Sequence, residues 1–205
     1  MSDSPAAPAA SNLTLHLATT SRAERWQRLG VTGATVWFTG LSGAGKSTTA
    51  DALAALLLDR GIGHYVLDGD NLRHGLNADL GFSEADRNEN VRRLGEVACL
   101  MADAGLVAIV AAISPYRAQR EQVRATHSAR GLPFVEVFMD TSLAVCRARD
   151  PKGLYARSNA GQLTGLTGVD APYELPQSPD VVLSPTMGPP ATQAQIVFDR
   201  LFPQR

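Results

Sequence analysis

The octapeptide GLSGAGKS at Gly40–Ser47 constrains the chain more than any other feature, because it satisfies G-x-x-x-x-G-K-[ST] and stands between two patterned segments. TVWF, an apolar β-rich run, precedes it, and STTADALAALL, a helical pattern, follows. Glycines at 40, 43 and 45 let a backbone wrap closely around an anion, so that successive N–H groups and the start of the next helix point at phosphate oxygens. Gly40, Gly43, Ala44, Gly45, Lys46, Ser47 and Thr48 are therefore expected to hold a nucleoside triphosphate. Lys46 would reach the β- and γ-phosphates, and the Ser47 hydroxyl would ligate Mg²⁺.

A strand, a phosphate loop and a helix belong to a βαβ unit, and the rest of the chain repeats that alternation. Strands are expected at 35–38, 64–67, 107–113, 134–139 and 181–183. Helices are expected at 46–60, 84–104, 118–129, 142–149 and 191–201. The fold class that follows is α/β: a three-layer α/β/α P-loop NTPase-type domain with a parallel sheet of about five strands. At 205 residues, with 44% hydrophobic and 19% charged side chains, the chain has ordinary globular composition. Lys and Arg number 19 against 20 Asp and Glu, so nothing in the overall charge favours a nucleic acid or a membrane surface as partner. Cys99 and Cys146 are too few for a disulfide framework and fit a reducing cytoplasm. No apolar run is long enough to span a bilayer. The Ala/Pro/Ser-rich opening, residues 1–15, reads as a disordered tail rather than a signal peptide.

What the nucleotide is used for must come from the other motifs. No N-K-x-D follows a later strand, and Asp150-Pro-Lys-Gly153 matches D-x-x-G only inside an irregular segment, so a GTPase switch is disfavoured. Leu67-Asp-Gly-Asp-Asn-Leu-Arg73 lies at the C-terminal end of the second strand, where ligands of a doubly wound sheet sit. Asp68 suits the magnesium shell, and Asp70 can orient or deprotonate an acceptor hydroxyl. Arg73 offers a fork to an anion. The alternative for this stretch is a solvated Asp-Gly turn. Further on, Ser83 and Asp86 form an N-capping signature that starts a helix and puts Arg87 and Asn90 on one face. Phe82 either stacks on a flat ligand or serves as a hydrophobic staple.

Taken in order, GLSGAGKST, DGDNLRHGLNADLGFSEADRNENVRR, ISPYRAQR, RDPKGLY and GLTGVDAPYE resemble the adenylyl-sulfate kinase family from about His16 to Pro176. The resemblance implies transfer of the γ-phosphate of ATP to the 3′-hydroxyl of adenosine 5′-phosphosulfate, with Mg²⁺, in sulfate activation. It places Asp70, Asn71, Leu72 and Arg73 at the acceptor-binding strand end and makes Phe82 the aromatic that stacks on the acceptor adenine. Arg87, Asn88, Glu89 and Asn90 would serve the phosphosulfate and sugar region, and Ile113 and Ser114 would face the acceptor. Ser114 resembles the serine assigned in bacterial members as a phosphorylated intermediate. A Ser-Pro helix start at Ser114-Pro115 explains the same residue without chemistry.

Residues 150–174 correspond to the family's mobile lid, in which Lys152 would neutralise phosphate charge and closure would keep out water. This chain departs from the family in reading Ala156-Arg157 where a basic pair is usual, and Gly165-Leu166-Thr167-Gly168 where Gly-Phe-Thr-Gly is usual. Leu166 supplies no π-face, so one stacking contact of about 0.5–1.5 kcal/mol is expected to be missing. His16 receives no catalytic role. A single domain over 16–203, a homodimer and a functional link to an ATP sulfurylase complete the expectation. The alternatives are a P-loop kinase of another small hydroxyl compound and a nucleotide-binding module without catalysis.

Overall fold

The computed structural model describes residues 19–203; the opening 1–15 and His16 lie outside the described residues. Five strands form one wholly parallel sheet in the order β2-β3-β1-β4-β5. They are β1 (Ala34–Thr39), β2 (His64–Asp68), β3 (Val107–Ala111), β4 (Phe134–Met139) and β5 (Val181–Leu183). Around them lie α1 (Arg22–Leu29), α2 (Lys46–Asp59), α3 (Glu84–Ala104), α4 (Arg117–Ala129), α5 (Leu143–Arg149), α6 (Leu154–Asn159) and α7 (Pro190–Leu201).

Strand side chains alternate between faces, and each face is covered by its own helices. Val36, Phe38, Val107 and Ile109 pack with Ala50, Leu53 and Leu57 of α2 and with Ala194, Val197 and Phe198 of α7. On the opposite face Trp37, Ala108 and Val110 pack with Val91, Leu94 and Ala98 of α3 and Val123 of α4. All six residues of β1 are buried, as expected of a central strand covered on both sides. Each buried leucine contributes about 1.5–3 kcal/mol to holding the layers together.

Four local features depart from the sequence expectation. β3 ends at Ala111 rather than 113, because Ser114 turns the chain with φ +41° and breaks the extended run. Helix α4 starts at Arg117 with Tyr116 at its N-cap, so Ser114 is not a helix cap. The segment after Asp150 is not wholly irregular: it contains the short helix α6. The N-terminal helix α1 was absent from the periodicity reading, although Ser21 and Glu24 close a capping box at its start.

Candidate active site

The phosphate loop leaves the C-terminal end of β1 and runs into α2. Gly43 and Gly45 have φ +75° and +105°, and a Cβ on Gly43 would stand 3.1 Å from the Cys146 carbonyl oxygen. These positions hold the loop open for an anion in a backbone shape that other residues adopt only under strain. Thr141 Oγ1 donates to the Ala44 carbonyl at 3.0 Å, and Tyr155 Oη donates to the Ser42 carbonyl at 2.9 Å, bracing the loop from outside. Lys46 is buried and donates from Nζ to the carbonyls of Gly40 and Leu41 at 2.9 and 2.8 Å. Burial, and then the nearby charge of Lys152, bring its pKa down to about 8.

At the end of β2 the two aspartates take different surroundings. Asp68 Oδ2 accepts from the Ser47 hydroxyl at 2.7 Å, and Asp68 Oδ1 accepts from the Asp70 and Asn71 N–H groups at 2.9 and 3.3 Å. Asp70 instead points outward and forms an ion pair with Lys152 of the lid segment. The 3₁₀ turn Asn71–His74 then carries Arg73, whose guanidinium donates to the carbonyls of Leu80 and Gly81 and lies 4.4 Å from the Phe82 ring centre. Phe82 is 68% exposed, so it is available to a ligand rather than packed as a staple.

A cavity of about 870 Å³ joins these groups. Its lining comprises two chemical groups, a phosphate-loop arm made of that loop with Pro185, Gly188, Pro190 and Gln193, and an aromatic-basic arm made of Arg73, Phe82, Arg87 and Asn90. Asp68, Asp70 and Lys152 lie on its wall, as do Ile113, Ser114, Gly165 and Leu166. Its size and mixed lining suit nucleotide-sized ligands. Gly40, Asn71, Leu72, Asn88 and Glu89, all expected in binding, are outside the lining. A helix turns about 100° per residue, so placing Arg87 and Asn90 toward the cavity rotates Asn88 and Glu89 away from it. Glu89 is occupied by Arg92 and Arg93, and Leu72 packs against the core. Gly40 contributes its carbonyl to Lys46 instead.

Ser114 is 3% exposed, and its Oγ accepts from the Trp37 indole N–H at 3.0 Å. Its other contact is donation to the Ala112 carbonyl at 3.4 Å. Neither neighbour is a base. The Ser114 carbonyl accepts from Arg120, a residue the sequence reading passed over. Arg120 is 2% exposed, pairs with Glu136 at 2.9 Å, and also donates to the Glu174 carbonyl at 2.7 Å. It thereby ties the loop after β3 to the far end of the lid. Within the lid, Leu166 is 6% exposed and belongs to the apolar core, while Arg87 donates to Gly165 O at 2.6 Å and Thr167 Oγ1 at 2.8 Å.

The sequence profile of the family described as adenylylsulphate kinase matches residues 32–184. The adenylyl-sulfate kinase of Yersinia pestis is 56% identical over 172 residues, covering 84% of this chain and 80% of that protein. The bifunctional enzyme CysN/CysC of Mycobacterium tuberculosis strain H37Rv is 56% identical over 169 residues, 82% of this chain but 27% of the longer relative. The structure of the Mycobacterium tuberculosis APS kinase CysC in complex with AMPPNP and APS superposes with a TM-score of 0.81 at 56% identity, covering 83% of this chain and 98% of that one. With the phosphate loop, the paired aspartates and the aromatic-basic arm occupying one cavity, and with relatives of this similarity, the chain belongs to the adenylylsulphate kinase family.

Proposed function

We propose that this protein transfers the γ-phosphoryl group of ATP to the 3′-hydroxyl of adenosine 5′-phosphosulfate, yielding 3′-phosphoadenosine 5′-phosphosulfate and ADP. The observation that carries the reading is one cavity lined both by the phosphate loop and by Arg73, Phe82, Arg87 and Asn90, with Asp70 on its wall. ATP takes the phosphate-loop arm, and the acceptor takes the arm where Arg73, Arg87 and Asn90 meet its anionic and sugar oxygens and Phe82 meets its adenine. The acceptor hydroxyl then attacks the γ-phosphorus in line: a 3′-oxygen–phosphorus bond forms, the β–γ bridge breaks, ADP keeps the bridging oxygen, and the hydroxyl proton passes to Asp70. Lys46 draws γ-phosphate charge, and Lys152 holds Asp70 until the acceptor arrives. Ser47 and Asp68 present hard oxygens 2.7 Å apart, the donor set that Mg²⁺ takes together with phosphate oxygens. When bound there the ion spreads the charge of the transferring group. Ile113, Ser114, Gly165 and Leu166 shape the floor and lid of the acceptor arm.

A reducing cytoplasm agrees with two free, buried cysteines, and no described helix is long and apolar enough to cross a membrane. The fused CysN/CysC relative supports working beside a sulfurylase, and a homodimer is the expected assembly, to be measured by sedimentation equilibrium. The activity test is a coupled assay with ATP, Mg²⁺ and adenosine 5′-phosphosulfate, with sugars and nucleosides as competing acceptors. The sulfated adenylate is expected to be preferred, and Asp70→Asn to lose about 10²–10⁴ in kcat while staying folded. Equal use of a simple sugar, or an unchanged Asp70→Asn rate, overturns the assignment.

A further inference from the structure

Asn77 lies in the turn between Arg73 and Gly81, fully buried and outside the cavity lining. The usual reasons for asparagine in a turn do not apply to it. Its φ is not in the left-handed region, since among the described residues only Ser114 and Asp150 are non-glycines with positive φ. The backbone is already satisfied, with the N–H donating to Leu72 O at 2.9 Å and the C=O accepting from Leu80 N at 3.1 Å. The side chain instead reaches α3, where Nδ2 donates to Asn90 Oδ1 at 3.0 Å. Its own Oδ1 is buried without a hydrogen-bond partner among the described residues. An unmet buried acceptor costs stability, so this amide is not explained by the stability of the turn.

Its effect falls on Asn90, which is 7% exposed and lines the acceptor arm. An amide has one carbonyl and one amino group, and Asn77 occupies the carbonyl. The amino group of Asn90 is then the end left for the cavity. We propose that Asn77 is a positioning residue for acceptor recognition: it fixes the Asn90 amide so that a hydrogen-bond donor, rather than a carbonyl, meets an oxygen of the acceptor's sugar or phosphosulfate. The proposal deepens the function above and rests on it. With the Asn90 amide reversed, its carbonyl would meet phosphosulfate oxygens with no proton between them, or would force a sugar hydroxyl to turn from accepting to donating, and binding would weaken selectively for the acceptor.

Asn77→Asp tests this, because a carboxyl can donate to Asn90 Oδ1 only while protonated. As a carboxylate it accepts and forces the reversed amide. Burial raises a carboxyl's pKa, which brings the change into the range of an assay. The charged groups flanking the turn have partners of their own: Arg73 binds the carbonyls of Leu80 and Gly81, Arg93 binds Leu76 O, Asp79 and Glu89, and Asp86 accepts from Ser83. In Asn77→Asp the acceptor KM is expected to be about tenfold or more above wild type at pH 8 and to return to within about threefold at pH 5.5. The KM for ATP and kcat should stay within about twofold of wild type at each pH. Asn77→Ala, which removes the donor without imposing the reversal, should raise the acceptor KM with no pH dependence relative to wild type.

An acceptor KM unchanged in Asn77→Asp, a rise that ignores pH, or an equal rise for ATP overturns the proposal. Should the variants unfold, the wild type answers by NMR. The Asn90 side-chain amide protons are expected to shift with adenosine 5′-phosphosulfate and not with ATP, and their failure to move overturns it equally. A wild type that leaves adenosine 5′-phosphosulfate unphosphorylated refutes the proposed function instead. Slow exchange of an Asn77 side-chain amide proton still reports the Asn77–Asn90 contact in that case.

Discussion

Lys46 illustrates how one residue type changes character with its surroundings. Buried and near Lys152, it holds its proton only to about pH 8, whereas in the unfolded chain it would hold it to 10.5. A bound triphosphate supplies the opposing charge and raises the proton affinity again, so binding above pH 8 must take up protons. Calorimetry of ATP binding in buffers of different ionisation enthalpy is expected to read net uptake at about pH 8.5 and little at pH 7. Lys46→Ala should abolish the difference. Ser114 carries a second prediction. Its hydroxyl accepts from the buried indole of Trp37 and donates to the Ala112 carbonyl, and neither of these neighbours is a base. Ser114→Ala should therefore keep turnover within about tenfold of wild type while losing about 1–3 kcal/mol of stability, because the Trp37 N–H is left unpaired. Urea unfolding beside the coupled assay checks both; complete loss of turnover in a folded variant would instead make the hydroxyl essential. That the phosphate loop, Asp68, Asp70, Arg87 and Asn90 would gather at one cleft was legible in the sequence from motifs and helical spacing, whereas spacing left Phe82 between a ligand contact and a staple and only the family resemblance assigned it to the ligand. Trp37, Asn77 and Arg120 were not legible, because each acts through a partner 13 to 77 positions away, and no periodicity encodes such a pairing.

Among the elements, strands and long helices matched their expected positions within a few residues because each has a strong period and a marked end. Ser83 caps α3 through the Asp86 N–H, and Gly105 closes that helix in the left-handed conformation. The short helix α6 escaped because six residues give too little repeat to see, and its N-cap, Gly153, lacks a capping side chain. One side chain that couples several elements at once is Arg120. Its guanidinium joins α4 to β4 through Glu136, to the loop after β3 through Ser114 O, and to the lid end through Glu174 O. Arg120→Met removes one side of a buried ion pair and should cost about 3 kcal/mol, since Arg124 still reaches Glu136 at 3.3 Å. Hydrogen exchange should also quicken at the Glu174 N–H, which donates to Pro115 O at 2.8 Å. An unchanged Glu174 amide would remove Arg120 from the anchoring of the lid.

At the scale of the molecule, the strand order brings the ends of β1, β2, β3 and β4 to one edge, and the cavity forms along that edge. Ligands that bind there bridge core and lid and should stabilise the whole fold. At about 100 times its Kd a ligand adds about 2.7 kcal/mol, which for a chain of this size is a Tm rise of about 5–10 °C. Thermal melts with ATP and Mg²⁺ should show it, and Lys46→Ala should lose most of it. The two ends of the lid are held unequally. Asp150 bends at φ +27° and accepts from the Tyr155 and Ala156 N–H groups of its own segment, whereas Tyr173 and Glu174 are fastened to Thr39, Pro115, Arg117 and Arg120. For anyone grafting a foreign lid onto this scaffold, the seams are therefore set: the transplant can begin after Tyr155, whose hydroxyl is tied to the phosphate loop, but it must stop short of Tyr173, beyond which the chain is bolted to the chassis.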